Sequence, residues 1–266
     1  MSELDRPIPW REGAPTALDY GAIRVDPHHP RAAEPLVDLA ALGIAGTSYY
    51  ARTDGLNAPY GRAFASALPA IWCRRSVAER LGAVNRALAA HGVELYVLNA
   101  YRPVALQEEL WAFFLAQAKV VLDDPDEAAC VAFAGEYCSD PENFDPADSR
   151  TWPTHATGGA VDTTLRLRGS GELLYMGGIF DDPSEVSHTA HLERRLAAGD
   201  RLSASELAAL RNRRLLYWTM RAADFANYPY EWWHFDWGTQ LWVLDCRATT
   251  DAAPQAAWYG PAEPPM

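Results

Sequence analysis

The chain has 266 residues, 49% of them apolar and ten of them tryptophan, enough for one substantial core. Its formal net charge of -12, with the basic residues scattered, argues against the positive patch that phosphate binding needs, so no nucleic-acid partner is expected. No apolar run approaches the roughly 20 residues that cross a bilayer, and the opening MSELDRPIPWREGAP lacks the basic flank and apolar centre of a signal peptide, so a cytoplasmic protein with no membrane partner is expected.

Residues 1–44, rich in Pro, Ala and Asp, read as an irregular N-terminal arm. Ser76-Val77-Ala78-Glu79 has the form of a capping box, and behind it Val77, Leu81, Val84 and Leu88 share one helical face until Gly92. Glu94 to Leu98 reads as a short strand. Pro103 suits a first helical position, where a missing N–H costs nothing, and opens a helix carrying Leu106, Leu110, Phe113 and Phe114. Arg102 therefore stands at a strand-to-helix junction. Residues 122–153, acidic and proline-punctuated (DDPDE, DPENFDPADSR), read as a long surface excursion. Val161 to Leu167 and Leu173 to Tyr175 read as strands. Ser203-Ala204-Ser205-Glu206 is a second capping box, opening a helix to about Phe225. Glu231 to Leu244, ending in Leu241-Trp242-Val243-Leu244, is aromatic and β-prone. Residues 245–266 read as a loosely held tail. Cys73, Cys130, Cys138 and Cys246 form no CxxC pair, which argues against a thiolate zinc ribbon and for isolated thiols; Cys130 with Cys138 stays open as a bridge in an oxidising compartment.

Two stretches gather imidazole and carboxylate groups: His155-Ala156-Thr157-Gly158-Gly159-Ala160-Val161-Asp162 and Glu231-Trp232-Trp233-His234. Hydrolytic zinc takes three such ligands and keeps one position open for water. His155, Asp162 and His234 supply that set, and the two glycines let the chain turn so that both motif ends meet one ion. Glu231, three residues before His234, falls where a general base for water belongs. Each fragment alone is weak evidence, because HxxxxxxD is a common spacing and EWWH reads equally as an aromatic strand. Their joint occurrence carries the reading. His188 and His191, at helical spacing, form a second pair that nothing nearby completes. His28 and His29, between prolines, carry less still.

THATGGAVD resembles the first zinc motif, SxHxxGxAxD, of VanX-type D-alanyl-D-alanine dipeptidases; EWWHF resembles their second motif and NAYRPVALQ their arginine segment. The resemblance extends through MGGIFDDPSEVSH and NRRLLYWTMRAADF, with Tyr50-Ala51 near its start, and covers roughly residues 45–240. It implies that His155, Asp162 and His234 bind one zinc ion, that Glu231 is the catalytic base and that Arg102 stabilises the transition state. It further implies that Asp181 receives the substrate's amino group, with Tyr50 close by. An arginine is permanently charged and suits an oxyanion, although Arg102 also reads as a surface ion pair and Phe180-Asp181-Asp182-Pro183 as a plain turn. Two departures stand near substrate contacts. Pro153 replaces the motif's opening Ser, and Gly55-Leu56-Asn57 replaces an Asn-Phe pair.

The fold implied is α+β, one zinc peptidase domain over residues 1–266 with a small, mainly antiparallel central sheet, flanking helices and zinc in a cleft on the sheet. The activity implied is zinc-dependent hydrolysis of a short D-amino-acid dipeptide, D-Ala-D-Ala first. A D,D- or L,D-carboxypeptidase on longer peptidoglycan peptides is the alternative, and a zinc-binding module without catalysis is a third reading, which the presence of Glu231 and Arg102 counts against.

Overall fold

The computed structural model describes residues 6–10, 20–135, 137–182, 184–249 and 253–265; the remainder of the N-terminal arm, together with Glu136, Pro183, Thr250 to Ala252 and Met266, lies outside the described residues. In chain order the elements are β1 (Leu36–Asp38), β2 (Trp72–Arg74), α1 (Arg75–Leu88), β3 (Val93–Asn99), α2 (Val104–Val121), α3 (Glu127–Gly135), β4 (Ala160–Leu167), α4 (His191–Ala197), α5 (Ala204–Ala222), β5 (Ala226–Asn227), β6 (His234–Asp236) and α6 (Gln240–Thr249). Strands β1 and β2 pair antiparallel. The central sheet is antiparallel, in the order β3-β4-β6-β5. The class is α+β, as expected.

The long β3–β4 pairing is the frame. Val93, Leu95 and Val97 turn one face of β3 into the core while β4 does the same with Val161 and Leu165. Helix α1 covers that core with Val77, Leu81, Val84 and Leu88, each at most 1% exposed, so the 3.6-residue period read from the sequence is the buried stripe. A register shift between Val97 and Asn99 sets Asn99 opposite Asp162. That bulge re-aims one side chain at the end of the strand.

Several local expectations are corrected. Ser76 does not cap α1: its hydroxyl donates to Glu34 and its N–H also bonds that carboxylate, so the helix begins at Arg75 without a side-chain cap. The box at Ser203 and Glu206 does form. Pro103 is the N-cap of α2 rather than its first residue. The 122–153 excursion contains α3, which buries Cys130 and Ala134, and Leu173 makes only an isolated bridge to Arg166. Leu241-Trp242-Val243-Leu244 is helical, within α6, because the Thr239 hydroxyl accepts from the Trp242 N–H at 3.2 Å and caps a turn whose Leu241, Trp242 and Val243 are buried. Burial overrides strand propensity there.

The arm and tail are also packed where described. Ile8 is buried and its N–H bonds Glu193. Val25 bridges Ala257, and Trp258 and Tyr259 are buried, with Trp258 against Trp237 and Trp242. Gly238, at φ 73°, has no room for a Cβ, which would meet the Trp258 ring at 2.5 Å. Arg74 ties these pieces together by donating to the carbonyls of Glu34, Thr157 and Gly260. The four cysteines are free. No described helix is long and apolar enough to cross a membrane.

Candidate metal centre and active site

Strand register places two of the three expected ligands. Asp162 pairs with His234 across β4 and β6, and with Asn99 across β4 and β3, so the three side chains stand abreast on one face of the sheet. His155 arrives from the preceding turn, Thr154–Thr157, which ends at Gly158 with φ 72°. A Cβ at Gly158 would meet Leu36 at 2.5 Å, and one at Gly159 would meet Thr239 at 2.6 Å, so both glycines are needed for the turn that brings His155 to Asp162. One ligand atom from each of His155, Asp162 and His234 lies within 4.8 Å of the others; among the described residues this is the group that could hold a metal ion. His188 and His191 join no such group: His188 Nδ1 accepts from Arg194.

The donor chemistry fits zinc. His155 Nδ1–H donates to the Ala100 carbonyl at 2.7 Å, which leaves Nε2 with a lone pair. His234 Nε2–H donates to Asp236 at 2.6 Å, which leaves Nδ1 with one. Those two bare nitrogens face each other at 3.2 Å, and each faces an Asp162 oxygen at 3.2 and 3.1 Å. Three electron-pair donors turned inward, in a buried spot, call for a cation. Ligand atoms about 2.0–2.2 Å from one tetrahedral zinc stand about 3.3–3.5 Å apart, close to these separations. Asp236 and the Ala100 carbonyl are the outer partners that fix each imidazole's tautomer. Asp236 is itself held by the Thr239 hydroxyl, and Asn99 donates to Asp162 at 2.8 Å. Burial alone would raise Asp162; positive charge on the two imidazoles outweighs burial and holds its carboxyl below the usual carboxylate range, a role that a cation between the two bare nitrogens would take over.

The remaining candidates converge on the same cleft. Glu231 Oε2 lies 3.6 Å from His234 Nδ1, with the loop behind it pinned by Asn227, which donates to the carbonyls of Glu231 and His234. Burial pushes the Glu231 carboxyl up to about 7, against the pull of His234. Arg102 is buried, with Nη2 3.6 Å from Asp162; Nη1 donates to Gln107 at 2.9 Å and Nη2 to the Tyr50 hydroxyl at 3.0 Å. Its Nε has no partner among the described residues. The Tyr50 hydroxyl in turn donates a hydrogen bond to Asp181 at 2.9 Å, and Tyr60 donates to the same oxygen at 2.9 Å. Burial pushes Asp181 up to about 7, against the pull of Arg102. Asp181 adopts φ 57°, a conformation unusual for an aspartate. The loop that carries it is fastened by Arg213, 1% exposed, whose guanidinium donates to the carbonyls of Met176, Val186 and His188.

All seven site residues read from the sequence therefore line one cleft. Asn99, Gln107, Asp236, Tyr60 and Arg213 escaped that reading. Asp236 was detectable, since two residues along a strand from His234 is the same face. Gln107 was within one helical turn of Pro103. Tyr60 sits in an aperiodic stretch and Arg213 in an ordinary helix, and neither left a signal.

Residues 35–252 match the Peptidase M15 family, described as D-ala-D-ala dipeptidase. A D-alanyl-D-alanine dipeptidase of Synechocystis sp. is 30% identical over 177 residues, covering 64% of this chain and 70% of that protein. One of Enterococcus faecalis is 34% identical over 82 residues, 31% of this chain and 35% of that protein. Among solved structures, VanYB in complex with D-alanine-D-alanine is 17% identical with a TM-score of 0.40, covering 68% of this chain and 80% of that one. The vancomycin resistance D,D-pentapeptidase VanY in complex with Zn(II) is also 17% identical, with a TM-score of 0.39, covering 63% and 73%.

Proposed function

This chain belongs to the D-ala-D-ala dipeptidase family, and we propose from that premise that it hydrolyses D-Ala-D-Ala, or a close D,D-dipeptide with a free amino group, with one zinc held by His155, Asp162 and His234. The observation that carries the reading is the inward-facing donor set, its three ligand atoms within 4.8 Å, with Glu231 and Arg102 at its edge. Zinc bound there supplies Lewis acidity and lowers the pKa of water from 15.7 towards about 7.

The protein's own groups then divide the work. Glu231 takes the proton as water adds to the scissile carbonyl carbon and delivers it to the leaving nitrogen as the C–N bond breaks. Its carboxyl, 3.6 Å from His234 Nδ1, stands beside the ligand set, within reach for both duties. Arg102, kept charged and aimed by Gln107 and Tyr50, faces the oxyanion that develops on the carbonyl. Asp181 receives the substrate ammonium, a cation that offsets the cost of a carboxylate in a buried setting. The phenols of Tyr50 and Tyr60 orient that carboxylate. Both products are single amino acids.

The test is a stereochemically complete Ala-Ala panel assayed with and without chelator. The D,D isomer is expected to be cleaved fastest, chelation to abolish cleavage and added zinc to restore it. Equal activity in metal-stripped protein would end the zinc reading. Release of D-Ala from a longer muropeptide at the dipeptide rate would replace the dipeptidase with a carboxypeptidase.

A further inference from the structure

We infer that the tail beyond the family match is a positioning element of the metal centre: residues 257–262 hold the turn that carries His155 and thereby set the affinity for zinc. The inference rests on the zinc reading above. The family match ends at residue 252, whereas the described tail runs to residue 265.

His155 is the ligand that needs such support. Asp162 and His234 sit on paired strands, where ladder bonds fix their backbones. His155 sits in the turn Thr154–Thr157, outside any strand. A turn is held by the partners that its carbonyls and N–H groups find. The His155 carbonyl accepts from the N–H groups of Arg102 at 3.2 Å and Gly158 at 3.1 Å. The Thr157 carbonyl accepts from Arg74 Nε at 2.7 Å, and the Gly158 carbonyl from the Arg74 N–H at 2.9 Å. The Ala156 carbonyl, on the residue next to the ligand, accepts from the N–H of Ala262 at 2.8 Å.

Ala262 grips a second piece as well. Its own carbonyl accepts from the Tyr101 hydroxyl at 2.8 Å. Tyr101 follows Ala100, whose carbonyl holds His155 Nδ1 at 2.7 Å, and precedes Arg102. One tail residue therefore joins the turn that carries the ligand to the strand end that orients its ring. Gly260 adds a further tie, because its carbonyl accepts at 2.9 Å from the same Arg74 guanidinium that holds Thr157. The tail is fixed further back in its turn. Ala257 donates to the Arg24 carbonyl at 2.9 Å and accepts from the Asp26 N–H at 2.8 Å. Trp258 and Tyr259 are buried, and their N–H groups reach the Gly238 carbonyl at 3.0 and 3.2 Å. The short span from Tyr259 to Ala262 keeps the chain freedom lost in the contact small.

The experiment measures zinc affinity by chelator competition, beside thermal unfolding of the metal-free protein, in full-length point variants. Ala262→Pro deletes the N–H that the Ala156 carbonyl accepts from. Ala156 is 3% exposed, so its carbonyl must find another partner, and the turn shifts with His155 on it. Zinc affinity is expected to fall by at least about tenfold, the lower end of the scale for groups that orient ligands. Tyr101→Phe, which removes only the hydroxyl, should lower it by at least about threefold, the scale of one hydrogen bond. Tyr259→Phe loses a bond to Glu34 at 2.7 Å and none to the turn, so it should bind zinc like the wild type. Wild-type affinity in a folded Ala262→Pro, with or without a lower unfolding temperature, would make the tail a strap for the fold alone and overturn the inference. Should Ala262→Pro fail to fold, Tyr101→Phe decides, and wild-type affinity there overturns it. An equal loss in Tyr259→Phe would spread the effect over the whole tail and overturn the part given to Ala262. A wild type that binds no zinc would instead overturn the zinc reading itself.

Discussion

On the sheet side of the cleft, Asp162 and His234 are placed by strand register, with Asn99 added by a bulge, and their backbones are fixed by ladder hydrogen bonds. On the other side, Arg102 and Asp181 are placed by side chains: Gln107 and Tyr50 hold one, Tyr50 and Tyr60 the other, and Arg213 staples the loop beneath. A register cannot be altered by one substitution without moving every neighbour on the strand. A side-chain tether can. The proposed metal site is therefore built into the part of the fold that tolerates least, and the proposed oxyanion and amine contacts into the part that can be rebuilt residue by residue. Pro153, standing where the family motif has Ser, lines the cleft at the start of the turn that carries His155.

The contrast is sharpened by removing one group at a time. The largest effect is expected on the sheet side. His155→Ala leaves two ligands where three are needed, so metal content should fall well below one zinc per chain and kcat by at least about a thousandfold, the several kcal/mol of Lewis-acid stabilisation lost with the ion. Metal analysis beside a rate assay checks it. Arg102→Ala should keep its zinc and lose about 10²–10³ in kcat, the scale of one oxyanion donor; a change confined to KM would instead assign Arg102 to ground-state binding. Asp236→Asn weakens the partner that orients His234 and should reduce zinc affinity by about 10–100-fold, measured by chelator competition. Unchanged affinity would show that register alone positions the imidazole.

The smallest effect is expected from Asp181, and it depends on pH. Its carboxyl is pushed up to about 7, so it is neutral below that pH and charged above it. Since only the charged form attracts an ammonium, KM should rise as pH falls below 7, and Asp181→Asn should flatten the profile. The same variant should shrink the preference for a free over an N-acetylated dipeptide. A wild type that cleaves both equally well would reduce Asp181 to a turn residue.

What was legible in the sequence follows the same division. HATGGAVD declared itself because a sharp turn between two ligands demands small residues, and Gly158 and Gly159 do sit where no Cβ fits. The stripe on α1 was legible for its periodicity, and the Ser203 box because Arg195 takes one oxygen of Glu206 and leaves the other for Ser203. The matching pattern at Ser76 misled because Glu34, 42 residues away, captures the hydroxyl. Residues 241–244 misled because aromatic content mimics a strand, while the cap at Thr239 and burial on Trp237 and Trp258 decide for a helix. The tail looked loose from its prolines and alanines, yet two aromatic side chains anchor it in the core. Asn99 and Tyr60 depend on a bulge and on a distant loop, neither of which local sequence encodes.

Metal binding and proton transfer are proposed as separate duties of this site, one of the His155, Asp162 and His234 set and the other of Glu231. Zinc stoichiometry and kcat for D-Ala-D-Ala, measured together on Glu231→Ala, test that division most directly. The expected result is one zinc per chain, as in the wild type, with kcat lower by about 10²–10⁴, the contribution of a positioned general base. A variant that loses its zinc would make Glu231 a ligand and contradict the assignment, as would one that keeps both zinc and rate.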